Sequence, residues 1–270
     1  MRKLKSLTLI ALTALAISAC SSNKTVEQAS EQELFNMART YTQDGSYSDA
    51  MRYFDALDTR FPGSSYSEQA KLNIIYAAYK TQDYTKALTT ADSFLRTFPN
   101  SQHTDYVLYM AALTNTSMGD NFMQDFFGID RSTRESTSMK TAFSNFQTLV
   151  THFPNSQYTP DALARMAYIK DHLARHELEI AKFYAERKAW VAVANRITGM
   201  LRTYPDTQAT LNALPLMQKA YHELGLTQLE QQAAALVKAN EGKQIQAAKK
   251  PDEPFLSLPS WLKFGSDKTE

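Results

Sequence analysis

Residues 82–101 read QDYTKALTTADSFLRTFPNS, and this stretch decides the fold. Its apolar and small residues recur at intervals of three or four, the spacing of one helix face, at Tyr84, Ala87, Ala91 and Phe94. Pro99 cannot continue that helix, because it lacks a backbone N–H and its ring clashes with the preceding turn. The stretch therefore predicts an amphipathic helix of about four turns that ends at a proline turn.

The chain repeats this pattern four times, in register with the prolines Pro62, Pro99, Pro154 and Pro205. Fifteen residues before each proline stand Tyr47, Tyr84, Met139 and Trp190. Twelve residues before stand Ala50, Ala87, Ala142 and Val193, and eight residues before stand Phe54, Ala91, Phe146 and Ile197. Two residues after come Ser64, Ser101, Ser156 and Thr207. A large residue, a small residue and an aromatic before proline are typical of tetratricopeptide (TPR) repeats.

We predict an all-α fold, an α-solenoid of five TPR-like helix pairs between residues 32 and 240. The pairs are expected at about 32–62, 66–99, 104–154, 160–205 and 208–240. Strand signals are nearly absent, and the chain has only eight glycines to break its helices.

The proline spacing predicts two departures from a regular array. Pro62 and Pro99 are 37 residues apart, close to the TPR period of about 34, whereas Pro99 and Pro154 are 55 apart. We expect the extra residues to form a loop at 119–137, which either packs on its own repeat or meets a partner. The next interval is 51 residues with no helix breaker between Asp161 and Lys188, which predicts one long helix there.

The N-terminus has the pattern of a targeting segment. Arg2, Lys3 and Lys5 precede an apolar run from Leu7 to Ile17, which is too short to span a bilayer as a helix. The run leads into ISAC at 17–20, which ends at the single cysteine, Cys20. These four residues resemble the lipobox of bacterial lipoproteins. We predict a signal peptide at 1–19, lipidation of Cys20 and a flexible lipid-anchored tether at 20–31. The alternative is an ordinary secretory signal, with Cys20 as a chance thiol.

Composition and motifs speak against several functions. The chain has 29 Lys and Arg residues, and three of them lie in the signal. Without the signal, 26 basic residues stand against 28 acidic ones. A chain without an excess of basic residues is not expected to bind nucleic acid. His172 and His176 could share a helix face, but no HExxH motif surrounds them, and a solvated face is the expected reading. We find no phosphate-binding loop or nucleophile motif, and predict no enzyme activity, cofactor or metal. The tail at 241–270 is expected to be disordered.

Two segments extend the likeness beyond a generic TPR array. They read DFFGIDRSTR at 125–134 and WVAVANR at 190–196, the latter followed by YPDTQAT at 204–210. With the lipobox, they resemble the BamD family, the TPR lipoproteins of the bacterial outer-membrane β-barrel assembly machinery (the BAM complex). The resemblance implies a periplasmic scaffold on the outer membrane. Its implied partners are a POTRA domain of BamA, a segment of BamC and unfolded outer-membrane proteins.

The resemblance also suggests site residues. Arg196 is the candidate contact with BamA, since a guanidinium suits a carboxylate; the alternative is an intramolecular pair with an acid on a neighbouring helix. Tyr76 and Tyr79 are candidates for a substrate groove, although their period also fits core positions. The alternative function is that of another periplasmic TPR lipoprotein, such as a secretin pilotin or a division-linked adaptor. A metal-dependent hydrolase that uses His172 and His176 is a further alternative.

Overall fold

Helices make up all the regular structure in the residues that the computed structural model describes, 26–120 and 129–252. Ten of them follow one another as α1 (Glu31–Gln43), α2 (Tyr47–Arg60), α3 (Ser67–Lys80), α4 (Tyr84–Thr97), α5 (Thr104–Asp120), α6 (Ile129–His152), α7 (Thr159–Glu186), α8 (Trp190–Thr203), α9 (Gln208–Glu223) and α10 (Thr227–Ala239). They form five consecutive pairs, which confirms the predicted all-α, TPR-like solenoid. None of the described helices is long and apolar enough to cross a membrane.

The prolines end the second helix of a pair as the sequence predicts. The residue before the proline has left the helical region at Phe61 (φ −128°, ψ 62°), Phe98 (φ −125°, ψ 61°) and Tyr204 (φ −131°, ψ 45°). A proline ring disfavours the α conformation in its predecessor, so the helix stops one residue earlier still. The turn geometry is therefore set locally and repeats along the chain.

The positions that align in the sequence form the core. The small residues twelve positions before each proline are buried, as are the residues eight positions before it: Ala50, Ala87, Ala142 and Val193, then Phe54, Ala91, Phe146 and Ile197. Small side chains let paired helices approach closely, and the larger ones fill the space beside them. Truncating a buried Phe to Ala typically costs about 3–5 kcal/mol, so Phe54 and Phe146 are expected to contribute strongly to the stability.

Consecutive helices pack against each other along the whole array, and first helices of neighbouring pairs also touch, as α3 does with α5 and α7 with α9. Two buried clusters result, one over α1–α3 and the other from α3 to α10. Ala70 and Ile74 of α3 belong to the first cluster, whereas Leu72 and Ile75 belong to the second. Helix α3 therefore buries both faces and joins the two clusters.

A serine two residues after the proline ties neighbouring pairs together. Its hydroxyl donates to an acid in the first turn of the preceding pair: Ser64 to Glu31, Ser101 to Glu68 and Ser156 to Asp105. The two residues are 33 apart in the first two ties and 51 apart in the third. Thr207 differs, since its hydroxyl caps α9 by accepting from the Thr210 N–H at 3.3 Å.

The loop expected at 119–137 is shorter than predicted. Helix α5 continues to Asp120, and α6 already begins at Ile129, so only 121–128 remain between them, and these lie outside the described residues. The stretch from 129 to 138 is polar but contains neither Gly nor Pro, so it can extend the helix that follows. Gly119 lies within α5 instead of forming a turn. A Cβ there would come within 2.8 Å of Met139 Cε, so the missing side chain makes room for α6.

The later helices follow the sequence more closely. Helix α7 is 28 residues long, twice the length of α8, and Pro160 lies in its first turn. Within the tail expected to be disordered, residues 243–252 have no regular secondary structure, but backbone groups at Ile245, Ala248 and Asp252 form hydrogen bonds with α7 and α9. Those partners are 37 to 87 residues away in the sequence, so local composition gave no sign of them. Residues 253–270 lie outside the described part of the chain.

Candidate partner-binding site

An open cleft of about 410 Å³ lies where α6, α7 and α8 meet. Its lining includes Lys140 of α6, Glu177 and Tyr184 of α7, and Arg196, Gly199 and Tyr204 of α8 or its end. Three charged side chains and two tyrosines thus line one surface depression. Such a mixture suits a protein surface with complementary charges.

Residues of α6 and α7 form one wall of this cleft. Helices α6 and α7 pack as consecutive neighbours, with the middle of α6 beside the late part of α7, since Lys140 and Tyr184 line the same cleft. Both are longer than the 14-residue helix α8, at 24 and 28 residues. Glu177 and Tyr184 in the second half of α7, together with Lys140 in the middle of α6, therefore form a wall beside α8.

One face of α8 supplies the other wall. The α8 residues that line the cleft recur at intervals of one, three or four residues, as expected for one helix face. They include Ala192, Asn195, Arg196, Gly199 and Thr203. The opposite face contributes Val193 and Ile197 to the core, which fixes the rotation of the helix. A Cβ built on Gly199 meets nothing within 4 Å, so this glycine leaves open space in the cleft.

Arg196 forms the intramolecular pair that the sequence left as an alternative. Its Nη1 lies 2.7 Å from Glu177 Oε2, and 37% of the Arg196 side chain and 15% of the Glu177 side chain are exposed. A guanidinium carries five N–H groups, and this contact uses one nitrogen. The pair holds the guanidinium at the edge of the cleft and leaves part of it in contact with solvent.

Tyr204 completes the charged part of the cleft. Burial first, and the negative charge of Glu177 second, raise the pKa of its hydroxyl. The hydroxyl thus stays protonated at physiological pH and can donate a hydrogen bond. The cleft therefore offers a cation and a neutral donor to an incoming group.

The two tyrosines predicted for a substrate groove differ in position. Tyr76 is 3% exposed and meets the Tyr47 ring edge-on at a centroid distance of 5.6 Å, so its contact with a substrate would require helices to separate. Burial also raises the pKa of Tyr76 strongly. Tyr79 is half-buried, and its hydroxyl lies 3.3 Å from Ser117 Oγ. The structure does not place the two tyrosines in the Arg196 cleft.

The other candidate residues lie elsewhere. His172 and His176 are half-buried on α7, where the His172 ring stacks near Tyr168 at a centroid distance of 6.3 Å. Within 26–120 and 129–252, no group of three or more His, Cys, Asp or Glu residues is arranged to hold a metal ion. Cys20 lies outside the described residues.

Sequence reasoning missed the cleft residues on α6 and α7. Lys140 follows Met139, one of the aligned repeat positions, so its place in the second helix of the third pair was visible. That it lines the same cleft as Arg196 was not, because this depends on how α6, α7 and α8 pack together. The motif at 190–196 did contain a usable signal, since its Ala192, Asn195 and Arg196 all line the cleft.

Comparison with known proteins agrees with this architecture. The sequence model of YfiO, described as an outer membrane lipoprotein, matches residues 27–236. Proteins named outer membrane protein assembly factor BamD are similar to the chain over most of its length. The Pasteurella multocida protein is 63% identical over 94% of this chain and 98% of its own length. The Haemophilus influenzae protein is 61% identical over 96% of this chain and 99% of its own length. The Vibrio cholerae protein is 39% identical over 88% of this chain and 99% of its own length. The chain therefore belongs to the YfiO family of outer membrane lipoproteins, the family of the BamD assembly factors.

Proposed function

We propose that the chain is a non-enzymatic scaffold of the outer-membrane β-barrel assembly machinery, anchored through a lipid on Cys20 and facing the periplasm. The observation that carries the proposal is near full-length similarity, up to 63% identity, to proteins named outer membrane protein assembly factor BamD. The family description supports a place at the outer membrane. The stacked helix pairs fit a binding role, because repeat arrays present extended surfaces to other polypeptides.

In this proposal the Arg196 cleft receives a POTRA domain of BamA. The Glu177 carboxylate holds the guanidinium in place before binding, which lowers the ordering cost of the complex. An acidic side chain of the partner could then bind the free edge of Arg196, while Tyr204 donates from the cleft. The long helices α6 and α7 form the wall beside this contact.

The remaining partners would use other surfaces of the array. BamC is proposed to run along the outside of the helix pairs as an extended segment. Unfolded outer-membrane proteins are proposed to bind near the N-terminal pairs, where Tyr79 is half-buried. The mechanism throughout is binding to preformed surfaces.

The sharpest test reverses the charge at Arg196. We expect Arg196→Glu to weaken binding to purified POTRA domains of BamA by at least about tenfold, because it removes the cation and places a like charge beside Glu177. Isothermal titration calorimetry measures the affinity, and circular dichroism verifies the helix content.

Arg202→Glu is the matched control. It makes the same charge change on an exposed part of α8 outside the cleft, so affinity should change little. Equal weakening by both variants would mean that net charge, and not the cleft, governs binding. Unchanged affinity in Arg196→Glu would remove this residue from the interface.

A further inference from the structure

The segment that follows α10 lies against the first helices of the last two pairs. Residues 243–252 have no regular secondary structure, yet three backbone groups are bonded. The Ile245 N–H donates to Gln208 Oε1 at 2.7 Å, the Ala248 N–H donates to Asp171 Oδ2 at 3.2 Å, and Arg165 Nη2 donates to the Asp252 carbonyl at 2.9 Å. All three contacts involve the main chain of the segment.

The segment runs along α7 in the opposite direction to that helix. Ala248 lies at Asp171, and Asp252, four residues later, lies at Arg165, six residues earlier on the helix. Six helical residues span about 9 Å, whereas four residues in a polyproline II conformation span about 12 Å. Four residues in a helix would span only about 6 Å, so an extended tail fits these two contacts better.

Burial along the segment has a period of three. Ile245, Ala248 and Pro251 are half-buried, and the residues between them are exposed. Three residues per turn is the repeat of the left-handed polyproline II helix. The two residues that donate their N–H groups are thus also the residues that face α7 and α9.

The surface beneath the tail is made of polar groups that suit a peptide backbone. Asp171 and Arg165 are each only 7% exposed, and burying a charge is costly unless hydrogen bonds compensate for it. Arg165 Nε lies 2.5 Å from Asp161 Oδ2, which also accepts from the Tyr109 hydroxyl at 2.6 Å. This arrangement directs the Arg165 Nη2 group at the tail carbonyl.

We propose that α7 and α9 form a groove for an extended peptide, and that residues 241–252 are its intramolecular ligand. Asp171 and Gln208 accept backbone N–H groups, and Arg165 donates to a carbonyl, so the groove recognises chain conformation together with an apolar residue at every third position. The occupying segment lies beyond residues 27–236, the part that the family model matches. The groove is also distinct from the Arg196 cleft, since none of its three anchoring residues lines that cleft.

Tethering determines how the groove must be tested. A short tether gives the tail a local concentration in the millimolar range, so a free peptide cannot displace it easily. In the full-length chain, the substitutions Ile245→Pro and Ala248→Pro together remove both donated N–H groups. Proline is compatible with the polyproline II conformation, so the tail keeps its shape but loses two of its three anchoring hydrogen bonds.

The probe is a fluorescein-labelled peptide with the sequence of residues 241–252, followed by fluorescence anisotropy. We expect it to bind the double-proline chain at least about tenfold more tightly than the unaltered chain. The same peptide carrying the two prolines should not bind. Ala247→Pro in the full-length chain is the matched control; residue 247 is exposed, and the variant should resemble the unaltered chain.

A change in the groove provides the reciprocal measurement. Asp171→Ala added to the double-proline chain should abolish peptide binding, with circular dichroism as the check on folding. Equal peptide binding to the unaltered and double-proline chains, or none to either, would overturn the proposal. So would binding that survives Asp171→Ala.

Hydrogen exchange tests the proposal without any substitution. In the full-length unaltered protein, the amides of Ile245 and Ala248 should exchange at least about tenfold more slowly than those of Gln246 and Ala247. Equal rates at the four positions would show that the tail does not occupy the groove.

Discussion

At the turn between the second and third helix pairs, a hydrogen bond from its backbone N–H fixes the position of His103. Its N–H donates to Ser101 Oγ at 3.0 Å, and Ser101 in turn donates to Glu68 Oε1 at 2.5 Å. Burial lowers the pKa of the imidazole, and the nearby charges of Glu68 and Asp105 only partly offset that effect. The imidazole is therefore harder to protonate in the folded protein than in the unfolded chain.

This pKa shift predicts a pH dependence. Below about pH 6.5 the unfolded chain binds more protons at His103 than the folded protein, so stability falls as the pH decreases through this range. We expect His103→Gln to reduce the loss of unfolding free energy between pH 7 and pH 5, as measured by urea denaturation. His152→Gln, a change at an exposed histidine of α6, is the control for the loss of a histidine. Identical pH slopes in the unaltered and His103→Gln proteins would contradict this account.

Single residues also show where sequence reasoning stops. Periodicity alone could not choose between core and groove for Tyr76, because a tyrosine fits either, and burial decides the matter only once α2 and α3 are packed. Arg196 posed a similar problem. Its partner Glu177 is 19 residues away on another helix, so whether the two would meet depended on how α7 and α8 cross.

Among the helices, α8 combines two functions on opposite faces. Its Val193 and Ile197 face the core, and its Gly199 opens the proposed partner cleft. Glycine inside a helix costs roughly 0.5–1 kcal/mol relative to alanine. The space above Gly199 therefore has a stability cost, which is consistent with a binding role for the cleft.

Substitutions of Gly199 separate stability from binding. Gly199→Ala should raise the free energy of unfolding by about 0.5–1 kcal/mol and preserve affinity for the BamA POTRA domains, since its Cβ meets no neighbour. Gly199→Leu should also keep the helix stable but fill the cleft and weaken binding about tenfold or more. Urea denaturation and calorimetry measure the two effects. A Leu variant that binds as the Ala variant does would place the interface away from this cleft.

The sequence predicted the end of a helix where a proline restricts the residue before it. It did not predict structure that depends on contacts between residues far apart in the chain. Each proline restricts its predecessor, so the ends of α2, α4 and α8 follow from the sequence. The start of α6 was misjudged because a polar stretch without Gly or Pro is compatible with both loop and helix. The packed tail segment was missed because its contacts come from α7 and α9, far away in the chain.

For the whole molecule, the proposed lipid anchor determines where the array can lie. Helix α1 begins at Glu31, eleven residues after Cys20. Eleven extended residues span at most about 40 Å, so the first helix pair would stay within that distance of the membrane surface. The anchor would thus limit the reach of the entire scaffold.

Removing the anchor should release the protein from the membrane. Two or more acyl chains hold a protein stably, at about 0.8 kcal/mol per buried methylene, whereas the described helices include no membrane span. We expect Cys20→Ala to leave carbonate-washed membranes and appear in the soluble fraction, with Ser21→Ala as the control that remains bound. Retention of Cys20→Ala on washed membranes would contradict lipidation as the anchor.

The serine ties at the turns have a consequence for how such an array can grow. They fasten the second, third and fourth pairs to their predecessors at one end of the helices, and the third tie forms although its residues are 51 apart instead of 33. The added length lies between Asp105 and Ser156, toward the opposite ends of α5 and α6 from this tie. Extra helical turns can therefore project sideways from a spine of constant pitch, so binding arms of new lengths can evolve without altering the stacking that supports them.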